Sequence, residues 1–201
     1  MFYRFGEHRP VCAASSFVHP QATVIGDVIV GERCYIGPGA VLRGDWGRVV
    51  LADGCNVQEG CCVHMFPGVS VRLGANAHVG HGAVIHGATL EPDVLVGMNA
   101  VVMDRAVVGA GSIVGALAFV KAGLAIPPRS LFVGNPGKVV GPVSDERAAW
   151  KREGTELYQT LPRAWRTDTE AVEPLREAEP GRPVAGGTYG AWGGRAGAST
   201  T

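Results

Sequence analysis

An aliphatic residue returns at every sixth position over long stretches of this chain. Val18, Val24, Val30, Ile36 and Leu42 form one unbroken run. Leu90, Val96, Val102, Val108, Val114 and Val120 form another. A fixed period of this kind marks a repeat architecture, in which no unit buries its apolar side alone and stacking creates the core. Between the runs the pattern continues as Leu51, Val57, Val63 and then Leu73, Val79, Ile85, with two insertions and a one-residue deletion before Leu90.

The fourth residue after each aliphatic is mostly small, as at Cys34, Ala40, Cys55, Cys61, Ala77, Ala83, Ala100 and Ala106. The residue directly after is often Gly, as at Gly31, Gly37, Gly74, Gly80, Gly97, Gly109 and Gly115. One large and one small residue per six suits a triangular prism of short parallel strands, with the small residue at the crowded corner and Gly at the turn. Three hexapeptides make one coil, so residues three repeats apart stack at about 4.8 Å. The composition agrees: 30 of 201 residues are Gly and only 7% are aromatic, so the apolar mass is aliphatic. Cys34, Cys55 and Cys61 then read as core filler.

The reading is all-β, a β-helix domain over residues 1–141, followed by a C-terminal helix over 142–166 and an extended tail over 167–201. Ser144-Asp145-Glu146 starts the helix as a cap with early acids. Trp150, Leu157, Tyr158 and Leu161 fall on one face, and Pro162 is expected to end it. The Gly-rich segment after Arg182 reads as disordered. Ala106–Val120 carries no charge but is shorter than the roughly 20 residues a membrane crossing needs, and three Gly interrupt it. Eighteen basic against 18 acidic residues give zero formal charge, which argues against nucleic-acid and anionic-membrane partners. The N-terminus has no apolar export core, and five Cys without one point to a cytoplasmic protein with reduced thiols.

Coil counting places the histidines. His64 follows Val63 and His86 follows Ile85, three repeats on, so the two stack on one edge. Arg43, after Leu42, joins that edge one coil away. His81 is second after Val79 and Glu59 second after Val57, which puts them together in a different column. Within one prism His81 cannot reach the His64–His86 edge; across a threefold interface it can. Three imidazoles with an open fourth position suit a catalytic divalent metal, most readily Zn2+, with Co2+ or Fe2+ as alternatives. The spacing therefore predicts a homotrimer as well as a metal. His8, His19 and His78 read as surface or satisfied histidines.

The same residues resemble the γ-class carbonic anhydrase-like hexapeptide-repeat family: Arg43-Gly44-Asp45, then Asn56-Val57-Gln58-Glu59, then His64, then His81 and His86 in VGHGAVIHG. The resemblance implies a left-handed parallel β-helix, a homotrimer, and metal ligation by His64, His81 and His86. It implies that Arg43 and Asp45 pair across the subunit interface and that Gln58 orders the reacting water. Within the family, VLRGDWGRVV, LVGMNAVVMD and VEPLREAEPGR are most similar to the phenylacetic acid degradation thioesterase of the Y type, with the carnitine-operon relative nearby.

That similarity implies metal-dependent hydrolysis of acyl-CoA thioesters, in phenylacetate catabolism, with Gln58 orienting the water and Glu59 either relaying its proton or holding a metal-binding His by a hydrogen bond. True γ-carbonic anhydrases carry an acidic proton-shuttling loop after the first metal histidine. Here the segment is Met65-Phe66-Pro67-Gly68-Val69-Ser70-Val71-Arg72, without an acid, which argues against fast CO2 hydration. Apolar Trp46, Met65 and Phe66 read either as the lining of a larger, apolar substrate site or as packing residues at a subunit interface. CO2 hydration, acyl transfer by a hexapeptide acyltransferase and a non-enzymatic trimeric scaffold are the alternatives. Arg129 and Lys138 are phosphate candidates by charge alone.

Overall fold

The computed structural model describes residues 1–183, 189–190 and 192. Short strands, most of them two or three residues long, wind into the expected left-handed parallel β-helix, and one helix follows it. The six-residue aliphatics form three vertical columns. Ile36, Val57, Val79, Val96, Val114 and Phe132 pair in register on one face. Leu42, Val63, Ile85, Val102 and Val120 do so on the second. Val30, Leu51, Leu73, Leu90, Val108 and Ile126 complete the third. All of these side chains are buried and make one continuous core. The small residues, including Cys34, Cys55, Cys61 and the alanines, are buried with them.

The insertions leave the columns in register because they project outward. Strand Val41–Leu51 runs through the first insertion, and its pairing with Thr23–Val30 shifts register between Gly26 and Val28. Gly26 is required there: its φ is +75°, and a Cβ would strike the Gly44 carbonyl oxygen. The second insertion carries Phe66 to Gly68 out of the coil after strand Cys62–His64.

The helix spans Asp145–Thr167. Ser144 caps it by accepting from the Arg147 backbone N–H at 3.2 Å. Pro162 does not end it. The residue sits buried inside the helix, and the last turn continues because the prism holds it. Trp165 stacks on Phe17 at 5.9 Å between ring centroids, and its edge contacts His19 at 5.1 Å. The Arg166 guanidinium donates to the Ala14 and Ser16 carbonyls. These contacts offset the backbone hydrogen bond that proline forfeits. The buried face also differs from the expected one. Lys151, Gly154, Thr155 and Pro162 are buried, whereas Leu157 is exposed.

Residues 184–188, 191 and 193–201, on which most of the disordered-tail reading falls, lie outside the described residues. Of the rest of that segment, Tyr189 stacks on Trp150 at 5.9 Å, and Trp150 Nε1 donates to the Gly190 carbonyl at 2.8 Å. Among the described residues no helix is long and apolar enough to cross a membrane.

Candidate functional site

The strand register sets the histidines. His86 pairs directly with His64, one coil apart, and their ring centroids are 5.4 Å apart. His86 Nδ1 lies 2.8 Å from Asp104 Oδ2. His81 stands in the other column with Nδ1 2.5 Å from Glu59 Oε2. Glu59 also accepts from the Tyr35 hydroxyl at 3.1 Å. In both cases a carboxylate holds Nδ1, fixing the ring and leaving Nε2 without a hydrogen bond among the described residues.

His64 is engaged on both nitrogens. The Arg43 guanidinium lies 3.3 Å from Nδ1, and Nε2 lies 3.0 Å from Asp45 Oδ1. Arg43 Nη1 also donates to Asp45 Oδ2 at 2.7 Å, so Arg43 and Asp45 pair within the chain. Burial raises the Asp45 carboxyl, but hydrogen bonds from His64 and Arg43 outweigh it and hold it below the usual carboxylate range. Among the described residues no three His, Cys, Asp or Glu side chains of one chain converge on a single point. His64 and His86 share an edge, and His81 does not join them.

Trp46 is half exposed, tilted over His64 at 5.2 Å, with the Arg43 guanidinium 5.6 Å from its ring. Phe66 is exposed and meets His86 edge-on at 4.8 Å. Met65 does not line this surface. It is fully buried and belongs to the core of the prism. Arg129 is committed to Asp145 at 2.6 Å and to the Val143 carbonyl, so it is not a free phosphate ligand.

Beside His81 the helix and the first face of the prism enclose a cavity of about 670 Å³. Gln58, His81 and Tyr158 give it a polar end; Leu95, Met98 and Ile113 line its apolar wall. Burial, then Glu59, pushes the Tyr158 hydroxyl up to about 12, so it is a neutral donor. Gln58 is buried and touches two residues absent from the sequence expectation. Its Nε2 lies 2.9 Å from Asn56 Oδ1 and 2.6 Å from His78 Nε2. Of the two expected states His78 is the satisfied one, not the surface one: it contacts Gln58 and its ring meets Tyr158 edge-on at 5.2 Å. Asp104, Asn56 and His78 were all within reach of the coil count. Asp104 is second after Val102, and Tyr35, Asn56 and His78 each directly precede an aliphatic and pair in one outward column.

The bacterial transferase hexapeptide (six repeats) family matches residues 9–44. Over 187 residues the chain is 46% identical to the carnitine operon protein CaiE of Escherichia coli K12, covering 93% of this chain and 95% of that one. A hexapeptide transferase family protein from Anaplasma phagocytophilum is 30% identical, with a TM-score of 0.79 over 82% of this chain and 97% of the other. The crystal structure of the BC4754 gene product of Bacillus cereus is 31% identical, with a TM-score of 0.81 over 83% of this chain and 96% of the other. Identity of that extent over nearly the whole of both chains places this protein in the hexapeptide-repeat family, in the γ-class carbonic anhydrase-like group that includes the carnitine operon protein CaiE.

Proposed function

We propose that the protein hydrolyses acyl-CoA thioesters at a metal site shared between subunits of a homotrimer. The observation that carries this is the split of the histidines: two on one edge, a third on another, each of His81 and His86 with Nδ1 held by a carboxylate. Carboxylates on Nδ1 are the usual outer partners of metal-binding imidazoles, because they fix the tautomer and raise the basicity of Nε2. Two of the three donors thus fit a divalent ion as they stand. His64 fits once its Nε2 leaves Asp45 Oδ1.

A divalent ion held by His64, His81 and His86 would lower the pKa of water to about 7 and polarise a carbonyl oxygen. The chain's own residues do the rest. Gln58 orients the reacting groups from the polar end of the cavity, and Glu59 holds His81 and takes up the proton that water releases. The CoA thiolate leaves without acid assistance. The apolar wall of the cavity suits the acyl group, and Trp46 and Phe66 offer aromatic faces at the opposite edge.

Acyl transfer is the second reading, favoured by the transferase name of the family that matches residues 9–44. One experiment separates the two. The protein is purified without chelator, metal per subunit is measured, and thiol release is followed on arylacetyl-, short-chain and carnitine-derived acyl-CoA, with and without amine or hydroxyl acceptors. Hydrolysis requires about one metal per trimer interface and release that EDTA abolishes without any acceptor. Release that depends on an acceptor and survives EDTA overturns it.

A further inference from the structure

We propose that His78 is a positioning residue: its Nε2–H donates to Gln58 Oε1 and thereby turns the Gln58 amide so that its NH2 faces the cavity. The argument rests on hydrogen-bond accounting in the buried cluster of Asn56, Gln58 and His78. An amide nitrogen and oxygen are told apart by their partners. With Gln58 Nε2 placed toward Asn56 Oδ1 and His78 Nε2, the buried Asn56 Nδ2 and His78 Nδ1 have no partner among the described residues. In that arrangement His78 Nε2 must accept, so its proton sits on Nδ1. Both Asn56 N–H bonds and the Nδ1–H are then stranded, and an unpaired buried donor carries its full desolvation cost.

Turning both amides over replaces these stranded donors with acceptors, since Asn56 Oδ1 then takes the unpaired buried position. Asn56 then donates to Gln58 Oε1, and His78 Nε2–H donates to the same oxygen. His78 Nδ1 keeps only a lone pair, a cheaper group to bury than an N–H. The 2.6 Å separation also suits an oxygen acceptor better than a second nitrogen. The ring is neutral, as this arrangement needs, because burial lowers its pKa to about 3, with Lys151 and His81 adding to the effect. Its packing against Tyr158 fixes the ring plane.

The consequence is chemical and rests on the hydrolase reading. Gln58 lines the cavity beside His81, and the other end of its amide makes no hydrogen bond to the described residues. As an NH2 it donates to the thioester carbonyl oxygen as negative charge builds there, and it cannot accept from water. Gln58 thus becomes an oxyanion donor whose direction His78 sets.

The test has two arms. In the first, 15N-histidine-labelled protein, stripped of metal, is examined by two-bond 1H–15N correlation with His78→Gln used for assignment. The expected result is a neutral Nε2–H tautomer at His78; an Nδ1–H tautomer overturns the proposal. This arm needs neither metal nor turnover, so it decides the inference even if the protein hydrolyses no thioester, an outcome that would sink the hydrolase reading instead. In the second, His78→Phe keeps the ring against Tyr158 but drops the bond. Its kcat for thiol release is expected to fall by about 10²-fold with KM little changed. His78→Gln, which restores an N–H donor, recovers part of it. Unchanged kcat in a folded His78→Phe protein, or a rise in KM alone, overturns the proposal.

Discussion

His86 lies directly across the strand register from His64, one coil apart, with the two rings 5.4 Å between centroids. That relationship makes a shared edge out of two residues separated by 22 positions, and it leaves His81 in another column beside Glu59. A site assembled between subunits has a clear signature: each column is necessary and neither is sufficient. His81→Ala is expected to reduce bound metal to background, abolish thiol release and leave secondary structure intact by circular dichroism. Full activity in a metal-free trimer of that variant would remove the mechanism.

The carboxylates behind the rings offer a finer test. Glu59→Gln and Asp104→Asn keep the shape of each contact and weaken the hold on Nδ1 of His81 and His86. Each is expected to cost roughly 10–100-fold in metal affinity. Competition with a chromophoric chelator measures it directly. Equal affinity for both variants and the wild type would mean that the carboxylates only pin surface rings.

The core makes a third expectation. Ile85 is fully buried between Val63 and Val102 and immediately precedes His86. Ile85→Ala should destabilise the protein by about 2–5 kcal/mol, through lost transfer energy and the cavity left behind. Urea unfolding followed by circular dichroism reads the shift in midpoint. A change below 0.5 kcal/mol would mean that the column relaxes around the gap.

The parts that were legible in the sequence are those that repeat. Inward residues recur every six positions because each coil has the same three faces, so Leu51 and Leu73 could be placed correctly even across the insertions. His64, His86, His81 and Glu59 were located by counting from those anchors. The outward column of Tyr35, Asn56 and His78 keeps the coil register, but its residue types do not repeat and part of its cover is the helix, which arrives many residues later. His78 therefore looked solitary, although it sits between Gln58 and Tyr158. Met65 was misread for a related reason: an insertion breaks the period, and nothing in the sequence says which of its residues turns back into the core. Pro162 reads as a stop on local chemistry alone, whereas Trp165 and Arg166 bind the last turn to the start of the prism.

Lys151 ties the same helix to the prism and gives the stability a pH dependence of known sign. Its ammonium is almost wholly buried, donates to the Asn76 carbonyl at 2.6 Å and lies 3.7 Å from Asp93. Burial lowers its pKa to about 8 from the ordinary 10.5, against the opposing pull of Asp93. Between those two values the unfolded chain binds the proton and the native protein does not. Stability contributed at this site therefore rises as pH increases from about 8 toward 10.5, and is lowest below 8, where the native state buries the charge. The window corresponds to a difference on the order of 3 kcal/mol. Lys151→Met removes both the charge and its titration. Relative to wild type it should gain stability at pH 7, less the lost bond to Asn76, and the difference should shrink steadily up to pH 10. Urea midpoints of the two proteins at pH 7, 8.5 and 10 measure it. A difference that stays constant with pH would show that Lys151 remains protonated throughout, held by Asp93 more strongly than burial opposes.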